Sequence, residues 1–148
     1  MSIPTCGAVV IGRNEGQRLI TCLESLLTSL DCIVYVDSGS SDDSLSSASL
    51  IGVDCLSLDL SMPFTAARAR NEGAAYLLKK YPNLAYIQFV DGDCEVQSQW
   101  LALAQNYLDN NPHCAVVCGR RRERYPDQSI YNQLCDIEWN TPVGDALA

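Results

Sequence analysis

Asp91, Asp93 and Glu95 stand at alternate positions of FVDGDCE (89–95), directly after an apolar run containing Ile87, Phe89 and Val90. Three carboxylates packed so closely repel one another unless a cation sits among them. Oxygen ligands of this kind suit Mg2+ or Mn2+, ions that carboxylates commonly share with substrate phosphates. A metal bridging a diphosphate there would also support departure of a phosphate leaving group. Gly92 lets the backbone turn tightly and brings Asp91 and Asp93 towards one ligand. The plainer alternative is a solvated turn, for which Asp-Gly-Asp is a common composition. An EF-hand calcium loop does not fit, because the later glycine and terminal glutamate are not at the required spacing.

Other polar residues follow apolar runs in the same way. Asp37 comes after IVYV and suits either a hydrogen bond from a base N–H or a turn or cap role. SGSSDD (38–43) has the composition of a phosphate-cradling loop but lacks the Gly-Lys-Ser/Thr ending of a P-loop. No G-x-G-x-x-G follows the first apolar run, which disfavours a dinucleotide site. Arg68 and Arg70 are two apart near a helix start and must point in different directions. One of them is expected to reach a site and the other to stay on the surface. GRRRER (119–124) holds four of the ten Lys and Arg residues and reads as a solvated face or a phosphate or acceptor contact. His113 is the single histidine, which argues against Ser-His or Cys-His catalysis.

Elements of alternating type must position these residues. CGAVVIG (6–12), DCIVYVD (31–37), VDCLSL (53–58), LAYIQFVD (84–91) and CAVVCG (114–119) read as five strands. Between them, EGQRLITCLESLLTSL places Leu19, Ile20, Leu23, Leu26, Leu27 and Leu30 on one helical stripe, with Asn14 as its expected N-cap and Gln17 three residues on. SGSSDDSLSSAS gives a loop and a short helix that Asp42 can cap. Residues 65–81 form a helix with basic residues in its last turn and Pro82 beyond, and 98–111 a helix capped by Ser98. Strand and helix alternation predicts an α/β, Rossmann-like, mostly parallel sheet with helices on both faces. Ligands bind such sheets beyond the carboxyl ends of the strands, where the polar residues fall.

The 148 residues suit one domain, and 47% hydrophobic content supplies a core. A formal net charge of −8 argues against a nucleic-acid or anionic-membrane binder. The eight cysteines lie largely in apolar runs, where Cys behaves as a small hydrophobe, and reduced thiols in a cytoplasmic setting are expected. The start of the chain lacks the features of a secretory signal. No stretch approaches the roughly 20 apolar residues of a membrane span.

In order along the chain, VVIGRNEG, IVYVDSGSSDDS, FTAARARNEGAA and FVDGDCEV resemble the N-terminal half of the family two glycosyltransferases, inverting nucleotide-sugar enzymes of the GT-A fold. The likeness covers about residues 6–124. It implies a metal-assisted, hexosyltransferase-like transfer of sugar, with inversion, from a nucleotide-diphosphate sugar to an acceptor hydroxyl. It also implies residue roles. Ile11, Asn14 and Glu15 would line the nucleotide pocket. Asp37 would bind the base, with Ser38 beside it where many relatives carry a second acid. Arg70 would lie near the donor. Asp91 would face the ribose or donor sugar and share Mn2+ or Mg2+ with Asp93. Residues 1–124 would form the donor-binding domain. Residues 125–148 would open an acceptor-side segment that stops before the catalytic base, so that base stays unassigned. The acceptor, whether saccharide, lipid or protein, is likewise open. A longer enzyme of this kind would sit in the cytoplasm or peripherally on the inner membrane face. The competing reading is a non-catalytic nucleotide-sugar-binding or assembly module, which an uncovered sheet edge would allow to form a homodimer.

Overall fold

The apolar run between Cys6 and Gly12 is the strand on which the sheet is built. In the structure, a computed structural model that describes residues 5–144, this strand is β1 (Cys6–Gly12). It is followed by α1 (Gln17–Leu27), β2 (Ile33–Asp37), α2 (Ser44–Leu50), β3 (Asp54–Ser57), α3 (Ala66–Lys80), β4 (Tyr86–Asp91) and α4 (Trp100–Asn110). A turn of 3-10 helix at Pro126–Gln128 and α5 (Ile130–Trp139) complete the described chain. The chain forms two compact units, Met1–Leu101 and Ala102–Ala148.

In the first unit all four strands are parallel, in the order β3-β2-β1-β4. Successive side chains of a strand face opposite ways, and β1 shows it. Ala8 and Val10 join Leu19, Cys22, Leu23 and Leu26 of α1 in one core layer. Val9 and Ile11 join Ala69 and Leu77 of α3 in the other. Helices therefore cover both faces, as the alternation predicts. The α1 stripe is rotated slightly from expectation. Cys22 is buried in it, while Leu27 is 38% exposed.

Gly73 sets how close α3 can come. A Cβ on it would lie 2.5 Å from Val9 Cγ1 and 2.8 Å from Val36 Cγ2. Only a residue without a side chain lets the helix lie this deep. Thr65 caps the same helix by accepting from Arg68 N.

Two expectations need correction. Residues 114–119 are not a fifth strand, since the sheet has four strands and this run has no ladder partner among the described residues. Its β-prone composition is not enough without one. Asn14 does not cap α1. Gly16 holds the N-cap position, with φ 53°, and the Asn14 side chain is used elsewhere.

In the second unit, α5 starts at a Ser129 cap that accepts from Asn132 N. Ile130, Tyr131, Leu134 and Ile137 follow at helical spacing and are all exposed. No helix among the described residues is long and apolar enough to cross a membrane.

Candidate functional site at the carboxyl ends of the strands

Parallel register fixes which residues emerge together. Gly12 pairs with Asp37 on one side, and Ile11 pairs with Asp91 on the other. The chain leaves β1 towards β2 and β3, then returns to the other side of β1 as β4. The crevice beside β1 is therefore the point where strand order reverses, the usual ligand position in an open parallel sheet. Asp37 and Asp91 flank it from two strands apart, about 10 Å by strand spacing.

Asp37 is 4% exposed, and both of its oxygens are used by the protein. Oδ1 accepts from Tyr35 Oη at 2.9 Å and from the Ser40 hydroxyl. Oδ2 accepts from Gly39 N at 3.0 Å and Ser40 N at 2.9 Å. This is the turn-forming use of the residue, and it pins the loop after β2 from beneath. Gly39 turns with φ 87°, and a Cβ on it would meet Leu60 at 3.0 Å. The Tyr35 hydroxyl is held protonated by burial above all, so it remains a donor.

The loop after β1 is fastened to this one. Asn14 N donates to Ser40 Oγ at 2.9 Å, and Ser41 N donates to Asn14 Oδ1 at 2.7 Å. Asn14 does this from a left-handed backbone, φ 57°, which asparagine tolerates better than most residues. Gly16 N donates to the buried Ser44 hydroxyl at 3.1 Å, and Ser38 N to Gly12 O at 3.1 Å. Arg13 lies 5.0 Å from the Phe64 ring centre and donates through Nε to Gly39 O at 3.2 Å. Asp42, with its carboxyl held below the usual range chiefly by Ser44, accepts from the first N–H of α2 at 3.0 Å.

The acid turn after β4 is built differently. Asp91 and Asp93 are exposed and Gly92 is buried between them. Gly92 is not in the left-handed region. Its small size matters instead, because a Cβ would come within 3.2 Å of Ile11 O and 3.4 Å of Glu15 Cγ. Gly92 N donates to Ile11 O at 2.8 Å, and Cys94 N closes the turn on Asp91 O at 2.9 Å. Arg70 Nη2 reaches Asp91 Oδ1 at 2.7 Å. Glu15 folds over Gly12 and Gly92. Arg18 is 2.8 Å from its Oε2, yet that buried oxygen receives no hydrogen bond. The contact is an ion pair with its N–H groups aimed away.

The predicted residues thus fall into two groups. Asn14, Asp37 and Ser38 belong to the zipped loops. Ile11, Glu15, Arg70 and Asp91 surround the acid turn, with Asp93 at its exposed tip. Arg68 turns the other way, as its spacing requires. It pairs with Glu72 at 2.6 Å and donates to Asp59 O and Met62 O, so it ties down the loop before α3. Sequence reasoning missed Tyr35, whose position two residues before Asp37 on one strand face was the available signal.

Asp91 and Asp93 offer the hard oxygen donors that a divalent cation takes. Among the described residues, no three His, Cys, Asp or Glu side chains cluster as a metal cage. Two carboxylates alone would leave most of such an ion's coordination to other oxygen ligands. The run 119–124 is largely engaged within the second unit. Arg120 donates to Asn140, Arg121 lies over Trp139, and Arg122 grips Asp136 at 2.7 and 2.6 Å.

An all-parallel α/β sheet with polar loops gathered at its switch point defines a Rossmann-like fold. The sequence profile described as Glycosyl transferase family 2 matches residues 8–144, nearly the whole chain, which therefore belongs to that family. Glycosyl transfer is accordingly its general function. No curated protein matches the chain.

Proposed function

We infer that this chain provides the donor-binding part of an inverting, metal-assisted transfer of a hexosyl-type sugar from a nucleoside-diphosphate sugar to an acceptor hydroxyl. The observation that carries the reading is the acid turn 91–93 at the switch point, joined to β1 by the Ile11–Asp91 register. The zipped loops after β1 and β2 present Asn14 and Ser38 towards the nucleoside. Asp37 acts mainly from below, since its oxygens already accept four hydrogen bonds from the chain. Base contact falls to the half-exposed Ser38 and to the backbone it carries. Asp91 and Asp93 would hold Mn2+ or Mg2+ against the diphosphate, and the family generally uses a divalent ion. When bound, the ion stabilises the departing nucleoside diphosphate. The acceptor hydroxyl would attack the anomeric carbon in line as a carboxylate base takes its proton.

Calorimetric titration of UDP, GDP and their sugars with Mn2+ or Mg2+, then with EDTA, tests the reading. Binding should require metal and disappear in Asp93→Ala. Donor binding that is indifferent to EDTA and to that substitution would refute it. A second reading, a non-catalytic assembly module, is favoured by the exposed Ile130, Tyr131, Leu134 and Ile137 of α5. Sedimentation showing a dimer with no donor binding would select it.

A further inference from the structure

Arg70 occupies an unusual place for a residue read as a donor contact. Its guanidinium is already spent on Asp91, at 2.7 Å, and both side chains keep access to solvent, 38% and 50% exposed. Gly73 and Ala69 seat α3 deep against β1 and β2, and from that fixed helix the Arg70 side chain reaches across to Asp91 at the end of β4. Arg68, two residues earlier, is fully occupied on the opposite side and does not compete.

The consequence is electrostatic. Arg70 offsets one of the two aspartate charges, so Asp91 and Asp93 keep one net negative charge between them, with Glu95 following in the chain. A divalent cation arriving alone must share Asp91 with a guanidinium and face its repulsion. A cation arriving with a diphosphate brings negative oxygens to which the guanidinium can turn, in the paired geometry that suits Arg. The geometry points to Arg70 as a coupling residue: it holds the place of the metal on Asp91, disfavours the bare cation, and makes metal and diphosphate bind together. This rests on the reading of the acid turn as the diphosphate site. In linkage terms, Arg70 supplies part of the coupling free energy between the two ligands, and that coupling is reciprocal.

The test measures Mn2+ binding from the free-ion resonance signal, alone and with UDP or GDP, for wild type, Arg70→Gln, Arg70→Lys and Asp93→Asn. Circular dichroism confirms folding of each. Arg70→Gln should bind Mn2+ alone up to about fivefold more tightly, the range of an exposed ion pair. It should bind Mn2+ with diphosphate about tenfold more weakly, the loss of one charge-assisted hydrogen bond. Arg70→Lys keeps the charge and should leave Mn2+ alone as weak as in wild type. If Arg70→Gln binds Mn2+ alone no better than wild type while Asp93→Asn loses it, the coupling role is wrong and the metal site stands. If Asp93→Asn binds Mn2+ as wild type does, the metal site itself is wrong and the coupling role falls with it.

Discussion

The loops after β1 and β2 and the turn after β4 lie on either side of the same strand end, yet they are held by different physics. On one side a single buried carboxylate, Asp37, accepts four hydrogen bonds from neutral donors. Cross-ties at Asn14, Gly16 and Ser38 fasten the neighbouring loop to it. On the other side two exposed acids meet one half-exposed guanidinium. Hydrogen bonds gathered on a buried carboxylate are shielded from salt, whereas an exposed ion pair is screened. The first region owes its shape to the folded chain. The second is held by a pair that salt and competing ions can loosen.

The sharpest way to break the contrast is Asp37→Ala. It would orphan the buried Tyr35 hydroxyl and the N–H groups of Gly39 and Ser40 at once. Unsatisfied buried donors each cost on the order of 1–3 kcal/mol, so a loss of about 3 kcal/mol is expected in urea unfolding. Tyr35→Phe removes one of the four donors and should cost only about 1 kcal/mol. Equal effects of the two substitutions would mean that Asp37 is not the organiser of the loop.

Gly73→Ala comes next and acts on the other region through packing. The added methyl meets Val9 and Val36 inside contact distance, an overpacking cost of about 1–3 kcal/mol. The better helix propensity of alanine offsets up to about 1 kcal/mol of it. A net loss of about 1–2 kcal/mol is expected. With α3 displaced, Arg70 should separate from Asp91, and Mn2+ alone should bind more tightly, as in Arg70→Gln. Unchanged stability would show that α3 is not seated as described.

Much of the fold was legible because it rests on local periodicity. Alternating apolar runs and helical stripes gave the four strands and helices α1 to α4, and the polar residues after those runs fall at the carboxyl ends of the strands. What the sequence hid depends on partners distant in the chain. Residues 114–119 have the composition of a strand, but a strand exists only with a neighbour to pair with. Tyr35 looks like one more core residue until its hydroxyl is seen beneath Asp37. Asn14 looks like a helix cap, yet its side chain serves Ser41, 27 residues away. Arg68 and Arg70 are equivalent in the sequence. Only the lie of α3 against the sheet decides which of them meets the acid turn. The stripe of α5 is hidden as well, because IYNQLCDIEW mixes polar and apolar residues.

The smallest expected effect lies in the second unit, where a charge pair again replaces a hydrogen-bond network. Asp136 accepts from Arg122 at 2.7 and 2.6 Å and from Glu123 N at 3.0 Å. The guanidinium holds its carboxyl down, from an ordinary 3.8 to about 2. A carboxyl whose folded pKa is depressed contributes stability that is present above its unfolded value and is lost as pH falls through the folded one. Asp136 should therefore help to hold the segment before α5 to the helix above about pH 4, and release it between there and about pH 2. The side chain is 16% exposed but thinly surrounded, so the change should be local and not a global unfolding. Amide resonances of residues 122–124 and 134–137, followed by NMR in an acid titration, should show in wild type a step with a midpoint near pH 2 that is missing in Asp136→Asn. Lack of that low-pH step in wild type would mean that the pair is not formed in solution. The second unit would then lack the charge-held contact that makes it resemble the acid turn more than the zipped loops.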